Sequence, residues 1–278
     1  METVKKYSGR LFTLEVLGIV IALIFLIPFY FVIVNSLKTF PELAASTAKL
    51  PHSLYLDNYK KVWTIMKFPS AFLNSLIITV FSNIGLVVIS SMAAYRMVRK
   101  PSKFNNLVFL AFVAAMVIPF QSIMIPLVRV ASQVGLMDSK LGLIICYFGF
   151  GVSLNVFLFH GFIKSIPLEI EESATVDGCS PYGVFWRIVF PLLKPMSTTV
   201  VILNSLWIWN DYLLPSLVLN SPELRTIPLA TFSFFGQYTK QWDLALAGLT
   251  LGVLPIVIFF LAMQKHIVEG ITAGSVKG

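Results

Sequence analysis

The sequence predicts an all-α integral membrane protein with six spanning helices. Of its 278 residues, 57% are hydrophobic and only 12% are charged, whereas soluble domains carry about 25% charged residues. Six separate stretches are apolar over about 20 residues, the length that a helix needs to cross a bilayer. Composition and segment length together place the chain in the membrane class.

The six apolar stretches define the predicted spans of one membrane domain that covers residues 1–278. The first stretch is too long for a cleaved signal peptide and lacks a small-residue cleavage site, so it is interpreted as a retained span. Pro119, Pro126 and Pro255 fall within spans, where they predict kinks. The predicted spans are 11–34, 72–95, 107–128, 141–163, 196–219 and 244–263.

The distribution of basic residues predicts the orientation of the chain. An even number of spans puts both termini on one side of the membrane, and basic residues concentrate beside spans on the cytoplasmic side. The densest cluster follows the second span and consists of Arg96, Arg99, Lys100 and Lys103. Both termini and segment 165–194 are therefore predicted to be cytoplasmic. Topology also explains the formal charge of +8, so no nucleic-acid partner is expected.

Residues that could hold a metal or carry catalysis are scattered. Cys146 and Cys179 lie in a span and in a polar loop and show no metal-ligand spacing. His160 and His266 fall at similar predicted depth, which leaves a two-histidine haem site as an alternative, but solvated or interfacial histidines are the favoured interpretation. The chain has no Gly-Lys-Ser/Thr loop to hold nucleotide phosphates. The sequence predicts no catalytic residue, no metal and no bound cofactor, and a chain that does not hydrolyse ATP itself.

Segment 165–194 is a polar island between the fourth and fifth spans. Three carboxylates follow Pro167 within one turn: Glu169, Glu171 and Glu172. Carboxylates stabilise the first turn of a helix, and Gly178 is expected to end that helix. A second short helix is predicted from Pro181 and should end at Pro191 and Pro195. The pattern indicates a compact docking element, with a solvated surface loop as the alternative.

The spacing within this island resembles a known motif. Glu172-Ser173-Ala174 is followed after three residues by Gly178, after nine more by Ile188, and after one more by Phe190-Pro191. This resembles the EAA loop of binding-protein-dependent ABC importers, whose pattern is Glu-Ala-Ala, three residues, Gly, nine residues, Ile, one residue, Leu-Pro. Ser173 and Phe190 depart from that pattern, and both changes leave the helix and the turn feasible.

The resemblance extends over almost the whole chain, to the carbohydrate-uptake branch of this family. The chain is similar to the second permease subunit of maltose and multiple-sugar importers, which has six spans and a glycine-rich cytoplasmic tail, here residues 264–278. The similar segments are Asn35–Thr39, Leu56–Tyr59, Phe72–Leu76, Ile118–Gln121, Gly135–Asp138 and Gln264–Gly278.

The resemblance implies a set of partners and contact residues. The partners are a second permease subunit, a dimer of ATP-binding subunits that holds ATP and Mg, an extracytoplasmic sugar-binding protein, and a sugar or oligosaccharide. The residues implied to couple to the ATPase are Glu171, Glu172, Ala174, Asp177, Gly178, Ile188 and Pro191. Those of the tail implied to reach the ATPase interface are Gln264, Gly270, Gly274 and Lys277. The location implied is a bacterial plasma membrane.

The loop between the fifth and sixth spans, residues 220–243, has two interpretations. Its composition by itself favours an ordinary interfacial loop with aromatic residues. The resemblance instead implies contact with the binding protein through Gly236, Gln237 and Tyr238.

Polar and aromatic side chains cluster in the predicted fifth span. Polar groups within spans are costly and face an interior, and aromatic faces beside amides and carboxylates suit sugar binding. Helix packing is the alternative role. The residues predicted to line a substrate path are Asn204, Trp207, Asn210, Asp211 and Tyr212. Asp211 is also the one serious coupling carboxylate for the alternative function, an ion-coupled secondary transporter, although no inverted repeat is evident.

Overall fold

A computed structural model describes residues 9–236 and 241–275, and the side chains within them except those of Arg10 and residues 266–275. The chain divides into two compact units, residues 1–66 with 231–252 and residues 67–230 with 253–278. The α-helices are α1 Gly9–Ser36, α2 Phe40–Ala45, α3 Asp57–Ile65, α4 Phe68–Arg99, α5 Lys103–Ala115, α6 Phe120–Gln133, α7 Lys140–Ile163, α8 Glu169–Val176, α9 Pro181–Gly183, α10 Phe190–Leu192, α11 Lys194–Asn210, α12 Leu213–Val218, α13 Ile227–Phe232 and α14 Trp242–Ser275.

The helices agree with the predicted all-α membrane fold. Within the described residues, four helices are long and apolar enough to cross a bilayer, and up to six if each of two bent helix pairs forms one span. One bent pair joins α5 to α6 at 109°, and the other joins Pro181–Leu192 to α11 at 71°. The first bend lies at Pro119, which precedes α6 as its N-cap residue. The second lies between Pro191 and Pro195, as predicted.

In the first unit, a buried lysine fixes the chain that follows α1. The ammonium group of Lys38 donates to Asn35 Oδ1 at 2.9 Å and to the Ser46 carbonyl at 3.0 Å. The amide of Asn58, in α3, donates to the carbonyls of Ser36 and Lys38 at 3.0 and 2.8 Å. The bond to Ser36 satisfies a carbonyl at the C-terminal end of α1 that the helix itself cannot pair, and the others fix the chain after the helix.

In the second unit, small residues let α4 and α7 pack closely. A Cβ atom at Gly85 would overlap the ring of Phe148, and one at Gly151 would lie 2.7 Å from Leu86 Cδ1. Small residues at helix contacts are typical of membrane proteins, where close backbone approach stabilises helix pairs. One apolar core surrounds the ends of α4 and α7 nearest α8 and includes Ala94, Phe159 and Ala174.

Candidate coupling site and substrate path

Helix α8 forms the first half of the polar island. Its first turn carries the three carboxylates of Glu169, Glu171 and Glu172. Gly178 follows the helix with φ of 84°, and its amide donates to the Thr175 carbonyl at 3.0 Å. The next amide, of Cys179, donates to the Ala174 carbonyl at 3.0 Å. This pair of bonds caps a helix that ends in a left-handed residue, so the prediction that Gly178 ends α8 is confirmed.

The two adjacent glutamates of α8 have opposite environments. The Glu171 side chain is buried, with a relative exposure of 7%, whereas Glu172 is exposed. Arg99, in the last turn of α4, donates from Nε to Glu171 Oε1 at 2.8 Å, and its Nη2 lies 2.7 Å from the same oxygen as an ion pair. The Tyr95 hydroxyl donates to Glu171 Oε2 at 2.7 Å. Both oxygens of Glu171 are therefore occupied within the chain.

Arg99 also binds the backbone just before the start of α8. Arg99 Nη2 donates to the Ile166 carbonyl at 2.9 Å. Ala174, on the buried side of α8, packs into the core with Ala94 of α4. An ion pair and a tyrosine hydrogen bond therefore tie α8 to the end of α4, and a bond to the Ile166 carbonyl ties down the chain just before α8.

The second half of the island packs into that core. The Ser180 hydroxyl accepts a hydrogen bond from the Gly183 amide at 3.2 Å and so caps the first helical turn. A π-helical segment, Val184–Val189, follows and buries Val184, Phe185 and Val189. The wider π turn is frequent at functional sites.

The residues implied to couple to an ATPase fall into two groups. Four lie on the exposed surface: Glu172, Asp177, Gly178 and Pro191. Three face inward: Glu171 and Ala174 are buried, and Ile188 is half-buried against the core.

The predicted substrate-path residues surround a break in the helical chain. Helix α11 ends at Asn210, and Asp211 adopts an extended conformation before α12. Asp211 Oδ1 accepts the Leu213 amide at 2.9 Å, and Asp211 Oδ2 accepts the Tyr147 hydroxyl at 2.9 Å. At membrane depth, irregular backbone is tolerated where it is buried in protein or lines a cavity.

A cavity of about 180 Å³ adjoins this break and is lined by Trp207, Asp211, Phe120 and Phe150 among others. The Trp207 ring meets Tyr147 edge to face, with ring centroids 5.4 Å apart. Trp207 and Asp211 are thus brought together at one cavity.

The other three predicted path residues do not line that cavity. Asn204 is buried, Asn210 is exposed and donates to the Leu206 carbonyl at 2.7 Å, and Tyr212 is the N-cap residue of α12. Within the described residues, Asn204 Nδ2 has no hydrogen-bond partner.

Another polar network lies near the start of α4. It is roughly 38 Å from Arg99, at the other end of α4, because a helix rises 1.5 Å per residue. Asp138 accepts hydrogen bonds from the Ser221 hydroxyl and from the amides of Ser221 and Asn220. These bonds lower the pKa of the Asp138 carboxyl below its ordinary value. Asn74 Nδ2, near the start of α4, donates to the carbonyls of Glu223 and Arg225 at 2.8 and 3.1 Å. Together the bonds fix the segment that follows α12.

Several predicted contact residues lie in or beyond the last helix. Gln264 is exposed on α14, and Gly270 and Gly274 belong to the final turns of that helix. Gly236 is half-buried. Gln237, Tyr238 and Lys277 lie outside the described residues.

Sequence reasoning missed the partners of the site residues. Arg99 counted only toward topology, and 72 residues separate it from Glu171, so no local spacing reveals the pair. Tyr147 is a hydroxyl-bearing side chain in the middle of an apolar stretch, and that polarity could have marked it. Phe120 and Phe150 are apolar residues within apolar stretches, so their sequence context does not distinguish them as cavity-lining residues.

Comparison with known proteins identifies the family. Residues 85–273 match the family described as binding-protein-dependent transport system inner membrane component. The probable starch degradation products transport system permease protein AmyC of Thermoanaerobacterium thermosulfurigenes is 47% identical, over 98% of this chain and 99% of the relative. The melibiose/raffinose/stachyose import permease protein MelC of Bacillus subtilis is 34% identical over the full length of both chains.

A solved structure shares the fold. It is a bacterial ABC transporter involved in import of the acidic polysaccharide alginate, and one of its chains matches with a TM-score of 0.80. The match covers 93% of this chain and 98% of that chain at 20% identity, which supports the fold alone. The family match and the two sugar permeases together show that this chain belongs to the inner-membrane components of binding-protein-dependent transport systems, as a multi-pass membrane permease of a carbohydrate-uptake ABC importer.

Proposed function

We propose that this chain, as a single permease domain, couples sugar passage to a separate ATPase through the exposed carboxylate face of α8. The observation that carries the proposal is the opposite environment of Glu171 and Glu172. Glu172 is exposed, in the first turn of a short, capped helix, where it is free to dock on a basic groove. Glu171 has both carboxylate oxygens occupied within its own chain.

In this mechanism α8 moves as one body with the end of α4. The ion pair from Glu171 to Arg99 resists both a pull and a rotation of α8, since guanidinium and carboxylate form strongly directional bonds. Ala174 of α8 and Ala94 of α4 also belong to one apolar core. A displacement of α8 by the closing ATPase dimer therefore reaches α4 and, through its close packing with α7, the spanning helices.

The sugar passes beside the break between α11 and α12. Trp207 offers an aromatic face there and Asp211 a carboxylate, a combination that binds both the C–H face and the hydroxyls of a sugar. The named relatives are described as permeases for starch degradation products and for melibiose, raffinose and stachyose, so a sugar or oligosaccharide is the proposed substrate class.

The remaining parts follow the arrangement that the family resemblance implies. Both termini and α8 face the cytoplasm. The loop containing Gly236, Gln237 and Tyr238 faces an extracytoplasmic binding protein, and the end of α14 with Lys277 meets the ATPase. The chain itself is not an enzyme, and ATP and Mg are bound by the partner ATPase.

Charge reversal at Glu172 tests the docking role. The permease pair is reconstituted in liposomes with its ATPase and binding protein, and sugar uptake and ATP hydrolysis are measured together. Glu172→Lys should lower both by about tenfold or more, the loss expected for one charge-assisted contact, while the protein still inserts. Asp57→Lys is the matched control, because Asp57 is also an exposed first-turn carboxylate. Normal uptake in the Glu172→Lys variant would overturn the proposal.

A further inference from the structure

A second cavity, of about 380 Å³, lies where the end of α4 meets the chain that follows α8. Arg96, Arg99 and Lys100 contribute one wall, and Tyr182 and Phe185 contribute the other. The cavity therefore lies between the end of α4, to which Glu171 ties α8, and the segment that follows α8. It is separate from the cavity beside Asp211.

The charge of this cavity is positive and uncompensated. Arg99 is neutralised by its ion pair with Glu171. Arg96 and Lys100 are exposed, and within the described residues neither side chain has a carboxylate within ion-pair distance or a hydrogen bond. Two cations that line one cavity form a site for an anion with several acceptor oxygens, such as a phosphodiester.

The position of the cavity on α4 indicates where that anion comes from. Arg96 lies in the last turn of a helix long and apolar enough to span the membrane, so the cavity opens at headgroup depth. Met92 lies one turn before Arg96 on α4 and lines the cavity, and Ile89 lies two turns before Arg96. Both side chains are apolar and exposed. An acyl chain can lie along these side chains while its headgroup reaches the cations.

This cavity and the proposed ATPase contact also carry charges of opposite sign. The exposed face of α8 is acidic through Glu169, Glu172 and Asp177, and it suits a basic groove. The cavity is basic and would repel such a groove. The two surfaces therefore fit partners of opposite charge.

We infer that this cavity binds the headgroup of an anionic phospholipid, with the phosphodiester held by Arg96 and Lys100 and the lipid wedged between α4 and the Tyr182–Phe185 segment. The lipid braces the junction through which α8 moves α4. Basic pockets at the cytoplasmic ends of spans are known to select anionic headgroups in general. Lipid binding at this cavity does not depend on whether Glu172 contacts an ATPase, whereas the bracing role rests on the proposed function.

The test measures lipid binding to the intact, delipidated transporter complex in detergent by native mass spectrometry. The complex is titrated with dioctanoyl phosphatidylglycerol and, separately, with dioctanoyl phosphatidylcholine. In the wild-type complex one phosphatidylglycerol should bind at a concentration about 30-fold lower than phosphatidylcholine, the effect expected of two interfacial cations. Arg96→Gln combined with Lys100→Gln should abolish that preference, while the charge-retaining pair Arg96→Lys and Lys100→Arg should keep most of it.

The matched control removes two exposed cations from the same island that do not line the cavity, by Arg187→Gln combined with Lys194→Gln. This control should retain the preference. The inference is overturned if the cavity variant binds phosphatidylglycerol as the wild type does, or if the control variant loses the preference equally. It is also overturned if inorganic phosphate displaces phosphatidylglycerol at equal concentration, because the site would then recognise a free anion rather than a lipid.

Discussion

Arg99 Nη2 lies 2.7 Å from Glu171 Oε1, across 72 residues of sequence and between the end of α4 and the first turn of α8. The two side chains expose only 15% and 7% of their surface. Removing one partner of a buried pair leaves an uncompensated charge, which costs about 3 kcal/mol or more. The pair therefore acts as a rigid link rather than as a surface salt bridge of small effect.

The first prediction concerns this link. Glu171→Gln and Arg99→Met should each lower the unfolding free energy by about 3 kcal/mol and lower sugar-stimulated ATP hydrolysis more than basal hydrolysis. The double variant should recover part of the stability, because neither charge is left unpaired. Thermal unfolding of the purified complex and ATPase assays with and without binding protein measure these effects. Arg187→Met, at an exposed arginine of the same island, is the control. Strictly additive losses in the double variant would contradict a direct link.

The second prediction compares two glycines with different backbones. Gly178 has φ of 84°, whereas Gly161 lies within helix α7, and a Cβ atom would meet nothing within 4 Å at either position. Gly178→Ala should destabilise the chain by about 1 kcal/mol through left-handed strain alone. Gly161→Ala should stabilise it by about 0.5 kcal/mol, since alanine loses less entropy in a helix. Thermal unfolding of the two variants shows whether each substitution raises or lowers stability. Changes in the same direction would contradict the role of Gly178 in ending α8.

The third prediction concerns Asp138 and the segment that it anchors. Hydrogen bonds from the Ser221 hydroxyl and from the Ser221 and Asn220 amides lower the pKa of the Asp138 carboxyl. The stability that these bonds give the folded segment is therefore fully present above the pKa that Asp138 has in the unfolded chain. It is lost as the pH falls through the lower, folded pKa. Asp138→Asn should speed hydrogen exchange of the Asn220 and Ser221 amides by about tenfold at pH 7.

Below the folded pKa of Asp138, the wild type and the Asp138→Asn variant should exchange alike once intrinsic rates are corrected. Hydrogen-exchange mass spectrometry of the peptide that covers residues 219–226 measures this convergence. Asp57→Asn serves as the control, because Asp57 is hydrogen bonded to Lys60 and not to this segment. A difference between variant and wild type that persists unchanged at low pH would contradict the role of the Asp138 carboxylate.

The fourth prediction tests the cavity beside Asp211. Trp207→Ala removes an aromatic wall of the cavity and should lower sugar uptake about tenfold at saturating binding protein, with the ATPase subunit still co-purifying. Phe81→Ala is the control, since Phe81 is an exposed aromatic residue of α4 that does not line the cavity. Equal uptake by the Trp207→Ala and wild-type proteins would place the substrate path elsewhere.

Family membership also decides between the two transport classes that the sequence left open. Asp211 was the one candidate carboxylate for an ion-coupled secondary transporter. The match to the inner-membrane components of binding-protein-dependent systems, over residues 85–273, removes that alternative. Asp211 instead accepts hydrogen bonds from the Tyr147 hydroxyl and from the amide of Leu213, the first residue of α12.

The sequence alone determined the features that depend on neighbouring residues. Apolar length predicted the membrane fold, Gly178 ended α8 because only glycine takes positive φ at little cost, and Pro119 marked the sharp bend between α5 and α6. The spacing from Glu172 to Ile188 pointed to the family.

The tertiary structure decided the features that depend on rotation and distance. Glu171 and Glu172 follow one another in sequence, yet successive residues on a helix point about 100° apart, so the way α8 packs determines which one is buried. That packing turns Glu171 toward Arg99 and leaves Glu172 exposed. Likewise, only the packed helices bring Tyr147 to Asp211. Hydrophobic period and capping are local properties of the chain, whereas the partner of a buried charge is set by which helix ends meet in space.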